Sequence, residues 1–179
     1  MSTDREIEKN RLFLVCPSGF MEPYIRKKFK GDSYFYTGIG IFFNWDNATQ
    51  RDLIGLLKRK GIAEIHFVAN IDNPTYNGCL PNSMLPLWPP EKSQIAPSTT
   101  NQKTEIKESL STKGKTQLLL ANHLARQIIR LKESSCLGTH IGEEAIQVSA
   151  FIYDSSDDSV LNTYEIDLQS MLLQGFCSN

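Results

Sequence analysis

Residues 49–69 read Thr-Gln-Arg-Asp-Leu-Ile-Gly-Leu-Leu-Lys-Arg-Lys-Gly-Ile-Ala-Glu-Ile-His-Phe-Val-Ala, and the hydrophobic period changes within them. Thr49 with Asp52 three residues on approximates a capping box, with Asp in place of Glu or Gln. Leu53, Ile54, Leu56 and Leu57 then lie within one helix face. Lys58-Arg59-Lys60 suit the negative C-terminal end of the helix dipole, and Gly61 can take the left-handed cap. Directly after it, residues 63–69 are apolar and β-prone, interrupted only by Glu64 and His66, and read as a strand.

Upstream, residues 12–16 (Leu-Phe-Leu-Val-Cys) form a continuous apolar run closed by Pro17-Ser18-Gly19, the pattern of a buried strand. Residues 22–30 suggest a short helix ended by Gly31-Asp32, with the basic run Arg26-Lys27-Lys28 as a solvated face or helix end. Residues 33–37 are a second strand candidate, broken by Gly38-Ile39-Gly40. Strand, helix, strand over this distance predicts a right-handed parallel crossover.

Downstream, residues 71–103 change character. They hold six of the eight prolines and the turn signal Asn77-Gly78, so they read as a long loop or insertion. Helix returns over residues 104–133, where Leu120, Leu124, Ile128 and Leu131 repeat at helical spacing. Gly114 in its first third suggests two pieces. Residues 145–153 alternate, residues 154–158 are a turn, and residues 160–166 alternate again, which predicts a hairpin. Residues 167–176 read as a last short helix. The sum is one α/β domain over residues 1–179: a mostly parallel open sheet with an antiparallel edge strand and helices on both faces.

Composition narrows the function classes. A chain of 179 residues with 40% hydrophobic and 22% charged side chains is long enough to bury a core without disulfides. Its 19 basic and 20 acidic residues balance to −1, which gives no field for nucleic acid or an anionic membrane. No apolar run approaches the ~18 residues that span a bilayer. Residues 1–10 are charged and lack the apolar core of an export signal, so a cytoplasmic chain with reduced thiols is expected.

Several motifs fail on their neighbours. Gly114-Lys115-Thr116 resembles the end of a phosphate loop, but Ser109 stands where its first glycine is needed. Gly38-Ile39-Gly40 lacks the third glycine of a dinucleotide fingerprint, and Ser159 replaces the glycine of a calcium loop. Of the three histidines, His66 reads as a hydrogen-bonded core residue, His123 as a surface or boundary position on its helix, and His140 as a loop residue. The four cysteines include no C-x-x-C pair. Cys16 ends the first strand and Cys79 follows the third. Ligands of open parallel sheets bind beyond the carboxyl ends of strands, so the two thiols are candidates for a shared site. Zinc favours such ligands; the bland alternative is two small buried hydrophobes.

The order of elements resembles a β-class carbonic anhydrase of the short kind, over residues 11–166 without the proline-rich segment. Leu12 to Cys16, followed by Pro17-Ser18-Gly19-Phe20, resembles that family's first strand ending in Cys-x-Asp-x-Arg. Gly31-Asp32-Ser33-Tyr34-Phe35-Tyr36 is similar to its G-D-x-x-V-x-R-N-A-G-N stretch. Residues 53–68 resemble the helix and strand that deliver its His-x-x-Cys. Residues 128–134 and 146–154 resemble its last helix and V-x-G-x-x-Y-D-x-x-T-G hairpin.

The resemblance implies zinc held by Cys, His and Cys, an Asp–Arg dyad that orients a zinc-bound hydroxide, and at least a homodimer, because the family builds its site at a subunit interface. Here Cys16 matches the first ligand, but Ser18 stands for the Asp and Phe20 for the Arg, and no His-x-x-Cys follows the third strand. Tyr76 occupies the His place relative to Cys79. The expectation is a degenerate site without standard carbon dioxide hydratase activity, serving small-ligand binding, protein binding or a scaffold role, and with no cofactor. The alternative is a zinc enzyme with altered ligands, Cys16, Cys79 and Asp72, acting on carbon dioxide or a similar small electrophile.

Overall fold

The computed structural model of the chain describes residues 9–73, 76, 112–156 and 158–162. Five strands make one sheet in the order β2-β1-β3-β4-β5. They are β1 (Asn10–Val15), β2 (Ser33–Thr37), β3 (Ile62–Asn70), β4 (Gln147–Asp154) and β5 (Ser159–Asn162). The first four are mutually parallel, and β5 pairs antiparallel with β4. The mostly parallel sheet with an antiparallel edge is the architecture expected from the sequence, and the turn of the 154–158 hairpin lies where it was expected. The remainder of the proline-rich segment, residues 104–111 of the long helix and the helix expected at 167–176 fall outside the described residues.

β3 shows why a parallel sheet forms. It sits between β1 and β4, and all its residues from Glu64 to Ala69 are buried. A strand covered on both faces needs a nearly continuous apolar sequence rather than alternation. On one face Leu12, Leu14, Ile65, Phe67, Val148 and Ala150 join the main core. On the other, Phe13, Val15 and Val68 make a smaller cluster with Met21 and Ile25.

Helices cover both faces. α1 (Glu22–Lys28) contributes Ile25 to the smaller cluster. Its basic run is its last turn, and Arg26 lies over the Phe35 ring, 4.8 Å from the centroid. α2 (Asn47–Lys60), α3 (Thr112–Lys132) and α4 (Leu137–Glu143) pack on the main core. The expected stripe on α3 is present, with Leu120, Leu124, Ile128 and Leu131 all buried. Gly114 does not divide the helix.

α2 corrects the expected cap. Its N-cap is Asp46, whose carboxylate accepts from the Thr49 backbone N–H at 2.8 Å. The helix therefore starts at Asn47, two residues before Thr49. The mostly polar run of residues 47–52 separates Asp46 from the apolar period that begins at Leu53, which hides the cap in the sequence. Gly61 is left-handed, with φ 56°, as expected. Leu53 and Leu57 are buried, and Ile54 and Leu56 half-buried.

A second correction concerns His140. It lies in α4, not in a loop, and is buried. The start of α4 has no side-chain cap of its own. Gln50 of α2 supplies one across space: its Oε1 accepts from the backbone N–H groups of Cys136 (2.9 Å) and Leu137 (3.1 Å). Its amide donates to Trp45 O at 2.6 Å. A polar side chain buried on a helix face is thus the tie between α2 and α4.

Candidate functional site

The chain leaves β1 to build β2 on one side and then crosses β1 to build β3 on the other. The segments following β1 and β3 therefore diverge at the carboxyl edge of the sheet, where open α/β sheets open a crevice. A cleft of about 490 Å³ lies there, within the usual range for small-molecule sites. Its floor and rim come from Ser18, Gly19, Phe20, Met21, Pro23 and Tyr24 after β1, from Asn70, Asp72 and Asn73 at and beyond the end of β3, and from Tyr153 and Ser155 at the end of β4.

Cys16 is buried beneath this edge. Pro17 cannot donate to the sheet, so β1 stops and a 3₁₀ turn over Pro17–Gly19 begins. Cys16 Sγ accepts from the Gly40 N–H at 3.2 Å and lies 2.9 Å from Ser18 Oγ. Ser18 donates its one hydroxyl proton to Asn73 Oδ1 at 3.0 Å. That leaves the Cys16 S–H as the donor to Ser18, and the chain runs thiol, hydroxyl, amide.

Two backbone outliers flank this chain. Phe20 takes a left-handed conformation (φ 50°, ψ 36°) after the turn, with its ring 84% exposed. Ile41, a β-branched residue, has φ 60° in the loop that brings Gly40 to Cys16. Each costs on the order of 1–2 kcal/mol relative to ordinary backbone, and such strain gathers at sites of function. Gly38 anchors the same loop by donating to Val15 O at 3.0 Å, and a Cβ there would lie 2.5 Å from Phe42 O.

His123 corrects its sequence reading. It is buried, at 2% exposure, and its Nε2 donates to Gly40 O at 2.9 Å. Burial pushes its pKa down to about 4, against the hydrogen bond to Gly40 and assisted by Arg126 and Arg130. It therefore fixes the backbone that in turn donates to Cys16. The apolar period of α3 conceals this, because position 123 falls beside Leu120 and Leu124 and can be placed only when the β2 loop is known.

His66 is the hydrogen-bonded core residue that the sequence suggested. Its Nε2 lies 3.2 Å from Glu64 Oε2, and its Nδ1 lies 2.5 Å from Ser149 Oγ. A carboxylate only accepts, so Nε2 carries the proton and Nδ1 accepts from Ser149. Burial pushes the imidazole pKa down to about 4, against the pull of Glu64. Burial raises the Glu64 carboxyl, but hydrogen bonds from Lys9 and Arg11, both 2.6 Å, outweigh it and hold the pKa at about 2. The rings of Phe13 and Phe151 lie against the imidazole, each 5.2 Å between centroids. None of this trio lines the cleft, so its serine–histidine–acid arrangement serves packing.

The candidate metal ligands are placed as follows. Cys16 sits under the cleft. Asp72 is exposed on its wall, where its Oδ2 accepts from Ser155 Oγ and its N–H donates to Asn70 Oδ1 at 3.0 Å. Cys79 lies outside the described residues. Tyr76 is buried in the main core. Sequence reasoning missed Asn70 and Asn73. Asn70 closes β3 and Asn73 follows it, so both reach the cleft from the carboxyl end of the strand.

Zinc does not fit the described residues by themselves. Carboxamides are poor partners for a metal that selects thiolate, imidazole and carboxylate. Among the described residues, no three His, Cys, Asp or Glu side chains converge as a metal site. No helix among them is long and apolar enough to cross a membrane.

No family model matches the sequence, and no curated protein does. Solved structures do match. The β-carbonic anhydrase CafA of Aspergillus fumigatus superposes with a TM-score of 0.70 at 16% identity, over 93% of this chain and 83% of that one. One of two tetrameric β-carbonic anhydrases of Sordaria macrospora gives 0.66 at 13% identity, over 86% and 80%. The Coccomyxa β-carbonic anhydrase, in complex with acetazolamide, gives 0.65 at 9% identity, over 96% and 85%. The chain has a β-carbonic-anhydrase-like fold, with a sequence far from these neighbours.

Proposed function

We propose that this β-carbonic-anhydrase-like fold carries a site rebuilt away from zinc-hydroxide chemistry. It holds a small ligand or a protein partner, or serves as a scaffold, without standard carbon dioxide hydratase activity. The hydrogen-bonded chain Cys16–Ser18–Asn73 is the observation that supports this most. In the resemblance, Cys16 stands at a zinc thiolate and Ser18 at the dyad aspartate. Here a neutral hydroxyl bridges a thiol to an amide. A zinc-bound thiolate would have no proton to give Ser18. Phe20, at the dyad arginine's place, removes the cation that the dyad requires.

The chain is further proposed to be cytoplasmic, a single domain and a homodimer or higher homo-oligomer, with neither nucleic acid nor membrane as a partner. The tetrameric state of the Sordaria macrospora neighbours supports self-assembly. A second reading keeps zinc, held by Cys16, Asp72 and Cys79. It is favoured by the placing of Cys16 beneath the cleft that Asp72 lines.

Metal content separates the two readings, measured on the chain purified without chelator or metal-affinity resin. The first predicts no stoichiometric zinc. About one zinc per chain, lost in Cys16→Ala, overturns it in favour of the second.

A further inference from the structure

The cleft has an unusual charge and surface for a fold whose resemblance implies handling of bicarbonate. Among the described residues its lining contains no Lys, Arg or His, and Asp72 is the one charged side chain there. Among the described residues no cation pairs with that carboxylate; its contacts are the Ser155 hydroxyl and, through its own backbone N–H, Asn70. An anion entering here would meet the like charge of Asp72.

Three aromatic side chains, Phe20, Tyr24 and Tyr153, also line the cleft. Phe20 stands 84% exposed in its left-handed turn. Tyr24 and Tyr153 pack together, 3.9 Å between centroids, on the same cleft. Tyr24 already receives one cation: Lys28 Nζ lies 5.5 Å from its centroid and donates to its hydroxyl at 2.9 Å. Electron-rich ring faces attract cations, most strongly weakly hydrated ones such as alkylammonium groups, and a nearby carboxylate adds to the attraction.

We propose that this cleft binds a small organic ammonium ion, with Phe20 against its alkylammonium face and Asp72 supplying the counter-charge. The polar floor of Ser18, Asn70 and Asn73 would then take hydrogen-bonding groups on the remainder of the ligand. This deepens the reading above and rests on it, since it requires a site no longer built around zinc and an arginine.

The test is calorimetric titration of the full chain with choline chloride, with its neutral isostere 3,3-dimethylbutan-1-ol, and with sodium bicarbonate. Saturable choline binding is expected, weakened at least about fivefold for the isostere. Phe20→Ala and Asp72→Asn, both at exposed positions, are each expected to weaken choline to a similar degree while circular dichroism stays unchanged. Choline failing to bind overturns the inference. So does equal binding of the isostere, which would make the cleft a merely apolar one, or affinity unaltered in both variants. A preparation that takes up zinc fails the proposed function, whereas a zinc-free preparation that ignores choline fails this inference alone.

Discussion

Phe20 concentrates the argument at the scale of single residues. It is apolar, exposed and strained, three properties that folding alone would remove. Replacing it with glycine, which accepts a left-handed backbone, should raise stability by about 0.5–1 kcal/mol, since the exposed ring contributes little burial. Urea denaturation of Phe20→Gly measures this, and a loss of stability would show that the ring packs on something essential. The two depressed histidines give a pH dependence. His66 and His123 are held neutral in the folded chain down to about pH 4, while in the unfolded chain each protonates near 6.5. The unfolded chain thus binds more protons between those values. Stability should be complete above about pH 6.5 and fall as pH drops toward 4, by roughly 3 kcal/mol per histidine. Glu64, depressed from 4.5 to about 2, adds a further loss below that window. Urea midpoints at pH 7, 5.5 and 4 check the slope; a flat profile contradicts it.

Among the elements, Gln50 ties α2 to the start of α4. Gln50→Leu keeps the volume but leaves the Cys136 and Leu137 N–H groups without their acceptor, and should cost about 2–3 kcal/mol by denaturant unfolding. The parallel strands were legible because residues 12–16 are a continuous apolar run and residues 63–69 are broken only by Glu64 and His66, and α2 because its basic end and Gly61 mark the stop. The Asp46 cap, the Gln50 tie and the burial of His123 were not legible. Each depends on an atom from a distant segment: the turn before α2, the start of α4, the loop after β2. The cleft was legible in part. The carboxyl edge follows from strand order, and Cys16 from its place after β1. Asn70 and Asn73 were not legible, because an amide pair carries no metal signal.

At the scale of the molecule, the sheet places its switch point between β1 and β3, and the proposed site with it. The fold alone does not carry the chemistry, which resides in the side chains at that edge. Self-assembly belongs to this scale. Sedimentation velocity should show a dimer or a larger homo-oligomer, and a monomer across micromolar concentrations would remove that part of the account. The central claim is that the edge of this sheet no longer activates water on zinc. Stopped-flow carbon dioxide hydration by the chain equilibrated with zinc tests it most directly. A rate equal to the buffer's is predicted; appreciable acceleration that disappears in Cys16→Ala would contradict the account.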